Sequence, residues 1–257
     1  MRAIKKILIA NKESIICGWN LINKELLKSN TKFIPVASSG SFTGAVGDNV
    51  QAATSPMKFN QDISNTNIQG LTPTDYSSSI SLLNNKDDYQ FNVISAPGLN
   101  GVSHGTQVNS IVALAQSRTD CIAVIDLIGY NSTVSQVVAQ AASYDTSYAA
   151  TYWPWLQTQS ATGKNVWIPA STVIPGVYAF TDGAAAPWFA PAGLTRGGIP
   201  NVIQAERKLT RAQRDTLYNA NVNPIATFPG AGISVFGQKT LQKKKSALDR
   251  VNVRRLL

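Results

Sequence analysis

The feature that most constrains this chain is Cys121-Ile122-Ala123-Val124-Ile125, an apolar run of strand length with no polar residue to turn toward water. A strand so composed is covered on both faces, and the usual covers are helices crossing between parallel strands. The neighbouring pattern supplies them. Val108, Ile111, Val112 and Ala115 fall at i, i+3, i+4 and i+7, which predicts an amphipathic helix packed on that strand. Phe91-Asn92-Val93-Ile94-Ser95 reads as a preceding strand, ended by Ala96-Pro97-Gly98. Downstream, Thr133 and Gln136 form a capping box for a helix whose apolar face is Val134, Val137, Val138 and Ala141, and Tyr148 to Trp153 reads as the next strand. This β-α-β-α-β order predicts an α/β fold with a mainly parallel or mixed sheet flanked by helices.

Around this nucleus, Asp75 to Leu83 predicts a short helix with Tyr76, Ile80 and Leu83 on one face. After Gly163 the chain changes character. Pro169, Pro175, Pro187, Pro191 and Pro200 punctuate a Gly-rich, aromatic stretch that reads as loops and short elements. A second capping box, Thr210 and Gln213, opens a helix that ends near Asn221, before Pro224. Ile225–Phe228 and Ile233–Phe236 flank Pro229-Gly230-Ala231-Gly232 as a hairpin, and residues 241–257 read as the start of a basic helix. At the other end, Ile4, Leu8, Ile15, Trp19, Ile22 and Leu26 have loosely helical spacing, which reads as a basic amphipathic helix or an irregular arm. The division is then a basic segment, 1–32, a Ser/Gly/Asn-rich loop region, 33–74, and an α/β domain, 75–257.

Of the 257 residues 44% are hydrophobic, enough for a sizeable core, but no apolar run reaches the roughly 18 residues of a membrane helix, so no membrane insertion is expected. Cys17 and Cys121 are far apart and His104 is the single histidine, which argues against a disulfide framework or a zinc site. The net charge of +9 is unevenly placed. Residues 1–32 hold seven bases and two acids, residues 33–195 four and nine, and residues 196–257 twelve and three. Such asymmetry points to an acidic partner for the C-terminal part.

Three constellations test for chemistry. Gly98, Gly101 and Gly105 occupy a strand-to-helix turn of the phosphate-binding kind, yet no lysine lies there and neither phosphate-loop spacing is present, so a plain turn is expected. A Ser-His-Asp set could draw on Ser103, His104 and Asp126, but there is no G-x-S-x-G elbow, and His104 reads as a polar helix cap or surface residue. Asp87-Asp88 reads as a solvated turn. No cofactor and no small-molecule substrate are therefore expected. Tyr152, Trp153, Trp155, Trp167, Tyr178, Trp188 and Phe189 cluster with only Lys164 among them, which favours core packing or a protein–protein surface over base stacking.

Six motifs in series carry a resemblance. They are Gly176-Val177-Tyr178-Ala179 with Asp182, Pro187-Trp188-Phe189-Ala190-Pro191-Ala192-Gly193, Leu217-Tyr218, Val222-Asn223-Pro224-Ile225, Gly237-Gln238-Lys239-Thr240-Leu241 and Asn252-Val253-Arg254-Arg255-Leu256. In this order they resemble the core of the tail sheath proteins of contractile-tailed bacteriophages. The resemblance takes in the strands and helix from Phe91 to Trp155 and thins before residue 75. It implies a non-enzymatic virion subunit, assembled in the host cytoplasm, that polymerises around the tail tube and contracts to drive it through the host envelope. Its partners would be copies of itself in stacked rings, the tube protein and the baseplate. The resemblance further implies truncation at both ends, with the C-terminal subdomain missing. Lys243, Lys244, Lys245, Arg254 and Arg255 are the expected assembly contact. The alternative readings are an α/β hydrolase or phosphate-binding enzyme, and a nucleic-acid-binding protein using the basic C-terminus.

Overall fold

The computed structural model describes residues 6–9, 32–35, 73–160, 163–186, 188–246 and 253. The chain runs β1 (Lys6–Ile9), β2 (Lys32–Pro35), α1 (Pro73–Leu82), β3 (Val93–Asn100), α2 (Gly105–Arg118), β4 (Ile122–Asp126), α3 (Val134–Ala141) and β5 (Ala149–Trp153). There follow β6 (Leu156–Gln159), β7 (Asn165–Ile168), α4 (Ile174–Ala184), β8 (Val202–Ala205), α5 (Arg211–Asn219), β9 (Asn223–Phe228) and β10 (Gly232–Val235). Seven strands form one sheet in the order β10-β9-β5-β4-β3-β1-β2, parallel except for the β9–β10 pair. A small antiparallel sheet has the order β7-β6-β8.

Strand β4 lies mid-sheet, and its alternation accounts for the unbroken apolar run. Cys121, Ala123 and Ile125 enter a cluster with Val108, Ile111 and Ala115 of α2, Val137 of α3 and Leu217 of α5. Ile122 and Val124 enter a second cluster on the opposite face, with Ile168 of β7 and Ile174, Val177 and Tyr178 of α4. Each of the Val, Leu and Ile side chains among them, fully buried, contributes about 1.5–3 kcal/mol. Both capping boxes form: Thr133 Oγ1 accepts from the Gln136 N–H, and Thr210 Oγ1 from the Gln213 N–H, each at 3.3 Å.

Arg118, at the end of α2, is fully buried. Its guanidinium donates to Leu83 O and Tyr89 O, both at 2.7 Å, and makes two bonds to Asp120 at 3.0 and 2.9 Å. Its plane also covers the Phe91 ring, 4.2 Å from the centroid. One side chain thus ties α2 to the segment joining α1 and β3.

The structure departs from the sequence reading in four places. Strand β3 continues through Pro97-Gly98 to Asn100. Its register with β4 shifts between Ser95 and Asn100, and this irregularity takes up the proline's missing N–H and Gly98 at φ 100°. The Pro-rich stretch after Gly163 contains the eleven-residue helix α4, with Pro175 in the first turn, where a missing N–H costs no helical bond. Lys6–Ile9 is a strand between β2 and β3, not part of a helix, with Ile7 opposite Phe33 and Val93. Its Ile-Leu-Ile run, two residues of which are β-branched, suits a ladder. The rest of that expected helix and most of the loop region 33–74 lie outside the described residues. Finally, residues 241–246 form no helix. The Leu241 N–H donates to Ala149 O at 2.9 Å and the Lys243 N–H to Asp145 Oδ1 at 2.9 Å, so the backbone here is committed to other elements.

Strand β10 ends the large sheet, and the segment 193–199 closes its outer edge. The Ile199 N–H donates to Ile233 O (3.0 Å), the Val235 N–H to Gly197 O (2.7 Å) and the Gly193 N–H to Val235 O (2.8 Å). Gly197 permits this approach, because a Cβ there would stand 2.6 Å from Val235 O.

Candidate assembly surfaces

The side chains weighed above as catalytic candidates are engaged by other partners. Asp126 is buried at the end of β4, and both of its side-chain hydrogen bonds come from Ser171, one from the N–H at 3.2 Å and one from the hydroxyl. Burial pushes its carboxyl up to about 7, against the partial relief of the Ser171 bonds. His104 occupies the N-cap position of α2 without a side-chain cap bond; it is buried, not a surface residue, and its Nδ1 accepts from the Asn100 N–H at 3.4 Å. The glycine turn is filled by protein: a Cβ on Gly101 would meet Tyr144 Oη at 2.9 Å and Gln140 Nε2 at 3.0 Å. Asp87 and Asp88 lie on an exposed turn, their N–H groups directed at Asn85 Oδ1. Burial also pushes the Cys121 thiol up to about 12, where it is unreactive.

The surface is more informative. Lys243, Lys244 and Lys245 are all exposed, yet they are not equivalent. Lys243 Nζ donates to Ala142 O at 2.7 Å, so its charge rests against the carbonyl end of α3. Lys244 and Lys245 carry the charge that faces outward. Arg254 and Arg255 lie outside the described residues. The aromatic cluster divides in two. Tyr152, Trp153, Trp155 and Tyr178 are core, and the Tyr152 and Tyr178 hydroxyls are bonded at 2.6 Å. Trp188 and Phe189 are exposed and stacked, with Arg196 4.9 Å above the Phe189 ring.

Beside them an open groove of about 670 Å³ runs along α5, lined by Ala190, Arg211, Arg214, Tyr218 and Phe236 among others. Arg214 lies 4.9 Å from the Phe228 ring and 5.6 Å from the Phe236 ring, which holds the guanidinium at the groove wall. The sequence reading did not single out these arginines. Their signal was Arg211 and Arg214 at i, i+3 on a capped helix, next to the two aromatics that end the hairpin strands.

A model of the phage tail sheath protein central domain matches residues 69–241, more than half of the chain. The chain belongs to the phage tail sheath protein family. The tail sheath protein of Vibrio phage KVP40 is 38% identical over 129 residues, which is 50% of this chain and 19% of that protein. That of Enterobacteria phage T4 is 30% identical over 164 residues, 57% of this chain and 25% of that protein. Among solved structures, the sheath complex of an extracellular contractile injection system in the contracted state is 28% identical, with a TM-score of 0.56 over 72% of this chain and 48% of that one. The match to each relative thus covers half or less of that relative's length. One further match is of another kind. A stretch of 34 residues is 71% identical to 1-deoxy-D-xylulose 5-phosphate reductoisomerase of Pelagibacter ubique, but it covers 9% of that enzyme, too little to carry an activity. The sheath core is accordingly the α/β body around β4, and both candidate surfaces, the outward lysines and the α5 groove, lie on it or border it.

Proposed function

We propose that this chain acts as the core of a contractile tail sheath subunit. Copies polymerise in stacked rings around a tail tube, anchored at the baseplate, and contract to drive the tube through the host envelope. Assembly takes place in the host cytoplasm, and the role is structural rather than catalytic. The observation that carries this reading is the family match over residues 69–241, which spans the chain from α1 to Leu241. Within that reading, Lys244 and Lys245, with Arg254 and Arg255, form an assembly contact facing acidic groups of the tube or of a neighbour. Lys243, from the same predicted contact, serves mainly to hold the segment against α3.

Electron microscopy of the purified chain mixed with tube protein tests the reading, and decorated tubes are the expected result. Bare tubes beside monomeric chain would overturn it. The double reversal Lys244→Glu and Lys245→Glu should reduce decoration most at low ionic strength, since exposed charges act within a Debye length of about 10 Å at 0.1 M salt. Its melting temperature should not change. Undiminished decoration at every salt concentration would show these lysines to be simply solvated.

A further inference from the structure

The groove along α5 has no part in the assembly contact assigned above. On its helical wall Arg211 is exposed and Arg214 half-buried, with one acid, Asp215, beside them. The Phe228 and Phe236 rings, 4.9 and 5.6 Å from the Arg214 guanidinium, hold that side chain in place. No ion pair among the described residues engages either arginine. The rim is apolar: Phe236 is 46% exposed, and the exposed Trp188–Phe189 stack leads directly into Ala190 of the lining. A groove of this composition suits a ligand that brings carboxylates to the guanidinium forks and a short apolar side chain to the rim.

The same chain presents that chemistry at the other end of its row of helices. Leu82, 58% exposed, ends α1, and the turn that follows carries Asp87 and Asp88, both exposed. Buried Arg118 donates to Leu83 O and Tyr89 O, one on each side of this turn, and the Tyr89 N–H donates to Asn85 O at 3.2 Å. The turn is thus fixed before it meets a partner, which lowers the ordering cost of binding. Asp88 Oδ2 accepts from Asn85 Nδ2 at 2.7 Å, which leaves the rest of the two carboxylates to a guanidinium fork. Of the other described acids, Asp120 is held by Arg118, Asp145 accepts from the Lys243 N–H, and Asp126 and Glu206 are turned inward. Helix α1 packs on α2, whereas α5 packs on α3 and β9. The turn and the groove therefore stand apart with α2 and α3 between them, and a copy does not fill its own groove.

We propose that the α5 groove receives the Asp87–Asp88 turn of a second copy, with Arg211 and Arg214 meeting the two carboxylates and Leu82 resting on the Phe236 rim. The contact is heterologous. Each copy gives its turn to one neighbour and takes the turn of another, so the contact propagates into rings or open helices instead of stopping at a pair. The proposal rests on the reading that copies of this chain assemble, and it adds to that reading a contact separate from Lys244 and Lys245.

Two variants of the full chain test it, one carrying Asp87→Lys with Asp88→Lys, the other Arg211→Glu with Arg214→Glu. Thermal melting first establishes that each is folded, and sedimentation velocity then follows association. Each variant alone should associate more weakly than the wild type by about tenfold or more, because like charges now face each other. In an equimolar mixture every reversed turn finds a reversed groove and every native turn a native one, so association should return with the two variants alternating. Should the groove variant not fold, Arg211→Glu alone, at an exposed helix position, carries the expectation of weakened association. Reversals that leave association unchanged, or a mixture that stays dissociated, overturn the contact. If wild-type copies decorate tubes and the reversals change nothing, the contact fails and the sheath reading stands. If copies associate through this contact yet leave tubes bare, the sheath reading fails and the contact stands. Loss of tube binding in the groove variant, with association between copies unchanged, assigns the groove to the tube and overturns the second copy as its occupant. Wild-type copies that never associate, with or without tube protein, overturn both.

Discussion

Arg118 and Asp126 are both buried, one against each face of the large sheet, and the fold handles them in opposite ways. On the helical face the arginine spends its donors on two carbonyls and a carboxylate and stacks on Phe91. On the other face the aspartate has two bonds from Ser171, and no cation among the described residues offsets its burial. The first charge is a fixed tie between segments. The second is a group that the fold prefers neutral. The comparison teaches that one face was closed by helices whose ends could be tied down, whereas the other was closed by α4 together with short strands and a turn that bring serines and threonines into the interior.

The severest break is Ile111→Asp. It places a carboxylate on the helical face, at a position 2% exposed, with none of the donors that Asp126 enjoys. The cost is several kcal/mol, comparable to the whole stability of an ordinary domain, so cooperative melting by circular dichroism should disappear. An unchanged melting temperature would remove Ile111 from the core. Arg118→Ala comes next. It strands Asp120 and two carbonyls, and should cost about 3–5 kcal/mol in urea unfolding at neutral pH. Arg118→Lys should recover little of this, since an ammonium cannot reproduce the fork.

Asp126→Asn sharpens the contrast by acting in the opposite direction. The folded carboxyl is raised to about 7 from an ordinary value of 3.8. The folded state therefore holds its proton more tightly than the unfolded chain. The resulting stability is complete below about pH 4 and is lost as pH rises through about 7. The asparagine variant should match the wild type at pH 4 and exceed it at pH 8, by up to about 4 kcal/mol for three pK units. Equal stabilities at both pH values would mean that the carboxylate is well solvated. Smallest is Thr133→Ala, which removes an exposed cap and should cost about 1 kcal/mol irrespective of pH.

The helical face was the legible one. Its signals are local: the Val108–Ala115 spacing, and two capping boxes that each need only four consecutive residues. The strand order from β3 to β5 follows from them. The opposite face was less legible, because the partners that make it are distant in sequence. Leu156 pairs with both Ile168 and Ala205, and nothing near Leu156 announces either. Helix α4 was hidden by Pro175, read as punctuation although a proline in the first turn starts a helix. Lys243 to Lys245 are visible as a charge run, but only the fold separates Lys243, bound to Ala142 O, from its two neighbours.

Under the sheath reading proposed above, copies stack at high local concentration, where any open row of backbone amides invites disordered strand-to-strand aggregation. At β10 that row is occupied by residues 193–199, and the occupancy depends on Gly197, where even a methyl group would press on Val235 O at 2.6 Å. Colloidal good behaviour on this side of the molecule therefore hangs on the absence of a single side chain.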